Sequence, residues 1–145
     1  AVVGIVLLRY RQIKIALPII IVISDEIIMI LGIASLFKQN IDIAGIAGII
    51  VAIGTGVDDQ IVITNEILKK ETEDEKRITN WSQKIKSAFF IVIACYFATV
   101  ASMVPLLFAG AGLIKGFAIT TIIGVTNGVF ITRPAYSAFV EIMMK

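Results

Sequence analysis

Consecutive apolar runs, each long enough to cross a lipid bilayer, dominate this chain. A run of about 18 or more predominantly apolar residues predicts a membrane-spanning helix. Full spans are predicted at residues 15–37, 43–68, 87–109 and 113–143. Residues 1–10 are predicted to form the end of a further helix. Hydrophobic residues make up 58% of the chain, whereas a soluble domain has roughly 45–50%. We therefore predict an all-α, polytopic transmembrane helix bundle of about five hydrophobic segments, the first of them partial.

The whole chain, residues 1–145, is predicted to be one transmembrane domain. It starts at Ala1, without Met and within a predicted helix. We therefore expect the sequence to be a fragment of a longer protein, and no signal peptide can be judged from it.

Lys and Arg residues are distributed unequally between the two ends of the predicted spans. One side carries Arg9, Arg11, Lys14, Lys69, Lys70, Lys76, Arg77, Lys84, Lys86, Arg133 and Lys145, and the other only Lys38 and Lys115. Because cytoplasmic loops are enriched in Lys and Arg, we predict a multi-pass protein of the cell membrane whose long loop and C-terminus are cytoplasmic. No basic stripe exists outside the turns next to the membrane, so no nucleic-acid partner is expected.

The long loop at residues 69–86 has a pattern of its own. Ile78, Trp81 and Ile85 recur at helical spacing among charged residues, which predicts a short amphipathic helix at the membrane interface. Its role remains open between a docking site for a cytoplasmic partner and a solvated connector, and the mixed charge favours the connector.

Histidine is absent from the chain, and cysteine occurs once. The absence of His excludes a His-based zinc site, a Ser–His pair and a His proton relay. The single cysteine, Cys95, lies within a predicted span, so neither a disulfide framework nor a thiolate metal site is expected. We therefore expect no enzyme activity, no metal and no cofactor.

Small residues recur four apart in three of the spans. They are Ala44, Gly48, Ala52 and Gly56, then Ala94, Ala98 and Ser102, then Gly112, Gly116, Thr120, Gly124 and Gly128. In lipid there is little hydrophobic force between helices, so close approach over small side chains drives their association. We predict that these three spans pack tightly on one another. The residues expected at the contacts are Gly48, Ala52, Gly56, Gly116, Gly124 and Gly128.

Two adjacent carboxylates, Asp58 and Asp59, interrupt the second full span. At 100° per residue the small-residue ridge runs between them, so both are predicted to point into the bundle. An acid near the bilayer centre costs roughly 2.5–3.5 kcal/mol on insertion scales, and such residues mark ion or proton pathways. Neighbouring carboxylates titrate as a unit, and we predict that this pair relays protons. The alternative is a structural pair that is neutralised by Arg133 or capped by hydroxyl groups.

Weaker candidates for the relay lie on other spans. Asp25 and Glu26 are near the middle of the first full span, where at least one must face the bundle. Arg133 lies toward the cytoplasmic end of the last span. Its side chain is expected either to snorkel to the interface or to lie within a few turns of Asp58.

Two segments resemble a known family. IAGIAGIIVAIGTGVDDQIVITNEI, at residues 43–67, resembles the fourth transmembrane segment of the SecD family of protein-export membrane proteins. GLIKGFAITTIIGV, at residues 112–125, resembles the start of that family's last helix. The VDDQ form and the later TRP are similar to archaeal rather than bacterial members. The resemblance covers essentially the whole chain, and it implies that the full protein has an earlier transmembrane segment and a large extracytoplasmic domain.

The resemblance also implies residue roles. Asp58 matches the aspartate of the SecD family, and Asp58 with Asp59 matches the proton-relaying pair of efflux pumps in the wider RND superfamily. Ala94 stands where bacterial SecD members commonly have an acid. A relay here would therefore use Asp25, Glu26, a threonine or Arg133 instead.

The function implied by this resemblance is that of an accessory subunit of the Sec translocase. It would act with SecF and a SecY-type channel on a translocating preprotein in the lipid bilayer. Its energy source would be the proton gradient, since one charge crossing 100 mV releases about 2.3 kcal/mol. An RND/MMPL-type proton-driven exporter of lipids or small molecules is the alternative, and a purely structural membrane scaffold is a third reading.

Overall fold

The computed structural model describes residues 2–10, 13–36, 42–68, 81–110 and 112–144, and nearly all of them are helical. The helices are α1 (Val2–Tyr10), α2 (Ile13–Leu36), α3 (Ile43–Leu68), α4 (Trp81–Ala109), α5 (Leu113–Asn127) and α6 (Arg133–Met144). No strand occurs within these described ranges, and the predicted all-α fold is confirmed.

Within the described residues, four stretches are long and apolar enough to cross a membrane. They are Ala16–Leu36, Ile43–Ile67, Gln83–Ala109 and Leu113–Met143. A continuous helix satisfies its backbone hydrogen bonds internally, as the hydrocarbon interior of a bilayer requires. The chain is therefore a helical membrane protein.

The predicted interfacial helix lies mostly outside the described residues. Residues 69–80 belong to the part of the chain that the structure does not describe. The remainder of the predicted loop is the beginning of α4, which starts at Trp81 rather than at the predicted residue 87.

Helices α3 and α5 form the centre of the bundle, and their mutual contact is the most extensive between any two described elements. A side chain on Gly48 would place its Cβ 2.7 Å from the carbonyl oxygen of Phe117, and one on Gly124 would meet the Cβ of Ala52. Real Cβ atoms almost never come so close. The absence of side chains at these two glycines therefore lets the backbones of α3 and α5 approach each other.

Asp42 lies at the N-terminal end of α3, next to the contact between α3 and α5. Its carboxylate accepts a hydrogen bond of 2.7 Å from the N–H of Gly45 and so caps the first turn of α3. The same carboxylate faces α5, where a Cβ on Gly116 would lie 3.4 Å from Oδ1.

Helix α4 packs on both α3 and α5, as predicted, but not through the predicted small residues. Ala94, Ala98 and Ser102 are exposed. The helix instead buries Ala88 and Val92. Four-residue spacing of small residues defines a stripe on a helix, but it does not determine which neighbour covers that stripe.

The last span is irregular at one point. Gly128–Thr132 forms a π-helical turn between α5 and α6, and the N–H of Arg133 donates to the carbonyl of Gly128. Pro134 follows immediately. Because proline has no N–H and its ring clashes with the carbonyl four residues earlier, an ordinary α-helical ladder is disfavoured here. A widened turn removes that conflict, and such turns are frequent at functional sites.

Candidate functional site: a buried ion-pair cluster

An arginine at the end of the π turn connects two carboxylates inside the membrane domain. Nη1 of Arg133 donates to Oε1 of Glu26 at 2.9 Å. Its Nε donates to Oδ2 of Asp59 at 3.1 Å. Arg133 and Glu26 are fully buried, and Asp59 is only 5% exposed. These three residues are called the ion-pair cluster below; they connect α6, α2 and α3.

Two glycines leave space for the cluster. A Cβ on Gly128 would overlap the guanidinium of Arg133, which extends back along its own helix. A Cβ on Gly56 would lie 2.6 Å from Oε2 of Glu26 and 3.1 Å from Nη2 of Arg133. These glycines were predicted to be helix contacts. The structure places them against the ion-pair cluster, where they make room for charged side chains between the helices.

The charges of the ion-pair cluster do not balance when all three groups are ionised, because two carboxylates face one guanidinium. An uncompensated charge in a low-dielectric interior is costly. Binding of one proton by either carboxylate makes the cluster neutral. The arrangement is therefore suited to hold and release one proton.

The predicted acids divide between the interior and the surface. Glu26 and Asp59 are buried, whereas Asp25 and Asp58 are exposed in this chain. One of the Asp25–Glu26 pair faces the bundle, as expected. The prediction that both aspartates point inward is wrong for Asp58, because neighbouring residues on a helix project about 100° apart.

Arg133 also differs from one of the two sequence-based expectations. Its side chain does not snorkel toward an interface, since no part of it is exposed. The carboxylates of Glu26 and Asp59 provide partners in the interior, so the guanidinium does not need to reach water.

A second polar layer lies one turn further along α3 and α6. The hydroxyl groups of Thr64 and Tyr136 are 2.6 Å apart, and the Thr64 hydroxyl also donates to the carbonyl of Gln60 at 2.7 Å. Both side chains and that of Gln60 are buried. Sequence analysis did not single out these three residues, although Gln60 and Thr64 follow Gly56 at four-residue spacing and Tyr136 follows Arg133 by three.

Several buried polar atoms have no hydrogen-bond partner within the described residues. They are Oε2 of Glu26, Nε2 and Oε1 of Gln60, Nδ2 and Oδ1 of Asn127, Oγ1 of Thr132 and Nη2 of Arg133. Native interiors rarely leave such groups unsatisfied, and water is a common partner. Of these five side chains, Glu26 and Arg133 belong to the ion-pair cluster. Gln60 and Thr132 are next to a cluster residue in sequence.

Other polar groups in the spans are satisfied locally. Thr99 donates to the carbonyl of Cys95 at 2.9 Å, and Ser102 donates to that of Ala98 at 2.8 Å. Among the described residues, no group of three or more Cys, Asp and Glu side chains is arranged to hold a metal ion.

Comparison with known proteins gives a consistent family match. Residues 1–140 match the family described as "Protein export membrane protein SecD/SecF, C-terminal". The chain is 51% identical over 141 residues to the protein-export membrane protein SecD of Methanocaldococcus jannaschii, covering 97% of this chain and 34% of that protein. It is 47% identical over 148 residues to the SecD protein of Methanothermobacter thermautotrophicus, covering 97% of this chain and 36% of that protein.

A more distant bacterial relative is also similar. The protein translocase subunit SecD of Escherichia coli is 32% identical over 120 residues, covering 81% of this chain and 19% of that protein. The chain spans about a third of the length of the two archaeal relatives described above. The resemblance predicted from the VDDQ and IKGFAITT segments is confirmed: the chain belongs to the SecD/SecF family of protein-export membrane proteins.

Proposed function

We propose that this chain is the membrane domain of an accessory Sec translocase subunit that uses the proton gradient to assist protein export. The observation that supports the proposal is the ion-pair cluster, in which one arginine faces two carboxylates inside a domain of a protein-export family. Ionisable residues within a membrane are costly, and those that persist commonly serve ion or proton pathways.

Protonation of the cluster would change how the helices are held together. When Asp59 takes up a proton, its charge-assisted bond to Arg133 weakens and the guanidinium remains paired with Glu26. Loss of that proton restores the link between α3 and α6. Arg133 adjoins the π turn, where the helix ladder is already irregular, so this part of the last span is suited to change position with the charge state.

The exposed acids point to partner subunits. Asp25 and Asp58 lie within membrane spans and are exposed in this chain, and a charge facing lipid is costly. We propose that neighbouring membrane subunits, SecF and a SecY-type channel, cover these positions while a preprotein is translocated. In this arrangement Asp58 takes part in the relay at the subunit boundary and Asp59 inside the domain. The long loop and the C-terminus face the cytoplasm, as the Lys and Arg distribution favours.

Asp59→Asn is the variant that tests proton coupling most directly. The amide keeps the size of the carboxylate and its ability to accept a bond from Arg133, but it cannot exchange a proton at physiological pH. The full-length variant is expected to insert and to assemble normally, because Arg133 keeps Glu26 as an ionic partner. It is expected to lose the part of export that depends on the proton gradient. Export is measured in vesicles with and without a gradient, together with the amount of inserted protein.

Two further variants complete this experiment. Asp58→Asn is expected to impair gradient-dependent export as well, since Asp58 matches the family aspartate in the resemblance. Glu66→Gln, near the end of the same helix, is the matched control and is expected to behave as wild type. If well-inserted Asp59→Asn protein keeps full gradient-dependent export, the ion-pair cluster is not the coupling site.

A further inference from the structure

We propose that Gln60 holds buried water that connects the ion-pair cluster to the Thr64–Tyr136 hydroxyl pair, forming a hydrogen-bonded proton path along α3 and α6. The inference deepens the proposed function and rests on it, since the path matters only if the cluster exchanges protons. It assigns roles to Gln60, Thr64 and Tyr136.

Hydrogen bonds to α6 are made by residues on both sides of Gln60 along α3. Asp59, the preceding residue, accepts a hydrogen bond from Arg133 of α6 at 3.1 Å. Thr64, one turn later, is 2.6 Å from the hydroxyl of Tyr136, which lies nearly one turn after Arg133. The two helices are thus held together by polar contacts above and below Gln60. Gln60 itself is fully buried.

The carboxamide of Gln60 requires partners that the described residues do not provide. Both Nε2 and Oε1 are buried, and neither makes a hydrogen bond within the described part of the chain. Leaving a buried amide unsatisfied costs roughly 1–3 kcal/mol per group, whereas a buried water commonly makes about three hydrogen bonds to such groups. Oε2 of Glu26 and Nη2 of Arg133 are also unpartnered, and both lie near Gly56, one turn before Gln60. Unpartnered polar atoms are therefore found both at Gln60 and one helical turn before it.

Buried polar groups lie on both sides of the cluster, with Asn127 on one side and the Thr64–Tyr136 pair on the other, toward the C-terminal end of α3. Beyond Gln60 come Thr64 and then the end of the helix at Leu68. Toward the other end, Gly48 and Ala52 are closely packed against α5. The hydroxyl groups of Thr120 and Thr121 there donate to carbonyls of their own helix. The hydroxyl pair thus lies between the cluster and the end of α3 that leads into the long charged loop.

The proton balance of this path is simple. At rest the Tyr136 hydroxyl donates to Thr64, and the Thr64 hydroxyl donates to the carbonyl of Gln60. For proton release the two hydroxyl groups reorient so that Thr64 donates to Tyr136. Protonated Asp59 then gives its proton to the buried water, the water gives one to Thr64, Thr64 passes its own to Tyr136, and Tyr136 releases its own to bulk water at the end of α3. No bond other than O–H bonds forms or breaks, and no oxidant or reductant is required.

Buried water can be detected without measuring export. In hydroxyl-radical footprinting of the full-length protein with its partner subunits, radicals generated from bound water label nearby side chains. Tyr136 is fully buried in the described chain, so labelling of its ring reports water in the interior. We expect labelling in wild type, loss of labelling in Gln60→Leu, and wild-type labelling in Gln83→Leu, the same substitution at an exposed position of α4. An unlabelled Tyr136 in wild type, or labelling that Gln60→Leu leaves unchanged, overturns the proposal.

Export then tests whether the water serves the proton path. Gln60→Leu is expected to lose gradient-dependent export, as Asp59→Asn does, while Gln83→Leu keeps it. Tyr136→Phe removes one hydroxyl group and preserves the ring, and it is expected to show the same loss. It provides the test of the path in case Gln60→Leu does not insert. If Asp59→Asn loses gradient-dependent export but inserted Gln60→Leu and Tyr136→Phe keep it, the path is wrong. If Asp59→Asn keeps it, the proposed function fails, and footprinting still decides whether Gln60 is hydrated.

Discussion

Arg133→Met is expected to destabilise the membrane domain by about 3–5 kcal/mol, the effect of removing one partner from a buried ion pair. Glu26 and Asp59 would both remain in the interior without the guanidinium that compensates their negative charge. The free energy of unfolding of the full-length protein is measured in detergent micelles, with the helical signal in circular dichroism as the probe.

The control for this prediction removes all three charges together. Arg133→Met combined with Glu26→Met and Asp59→Leu leaves no buried charge in the cluster. Replacing a whole buried ionic group by hydrophobic residues of similar volume is often neutral or even stabilising. The triple variant is therefore expected to recover much of the lost stability while still lacking gradient-dependent export. A triple variant as unstable as Arg133→Met would show that the arginine stabilises the fold by packing rather than by charge pairing.

Gly48→Leu is expected to separate α3 from α5 and to destabilise the domain by about 3 kcal/mol or more, beyond the usual cost of overpacking. Even the first carbon of the new side chain would lie 2.7 Å from the Phe117 carbonyl oxygen. That oxygen belongs to the backbone and cannot rotate away. Gly124→Leu is expected to act in the same way, because its Cβ would meet that of Ala52.

Gly54→Leu provides the matched control for Gly48→Leu on the same helix. Apart from its chain neighbours and the backbone of its own helix, no described atom lies within 4 Å of the Cβ position of Gly54. Leucine also has a higher helix propensity than glycine. Thermal unfolding in detergent should therefore separate the two variants clearly. Equal stability of Gly48→Leu and wild type would contradict the close backbone contact between α3 and α5.

Taken together, the variants distinguish two uses of small residues in one membrane domain. Gly48 and Gly124 bring backbones together, so their replacement is expected to affect folding. Gly56 and Gly128 instead border the guanidinium of Arg133 and the carboxylate of Glu26. A close approach of two helices and an open position beside a charged group both require the absence of a side chain, and the sequence pattern is the same for both.

Composition and spacing were sufficient to predict the membrane fold. Long apolar runs leave a chain no stable alternative to helices in lipid, because every backbone N–H and C=O must be paired without water. The VDDQ and IKGFAITT segments likewise identified the family, which the comparisons confirm. Both properties are carried by residues that are close together along the chain.

The composition of the buried site depended on the tertiary structure. Asp58 and Asp59 are neighbours in the sequence, and only the packing of α2 and α6 around α3 determines that Asp59 and not Asp58 meets Arg133. Glu26 and Arg133 are 107 residues apart, and no local pattern relates them. Helical periodicity assigns each residue a direction around its own axis, but the identity of the neighbour in that direction is set by how the helices pack.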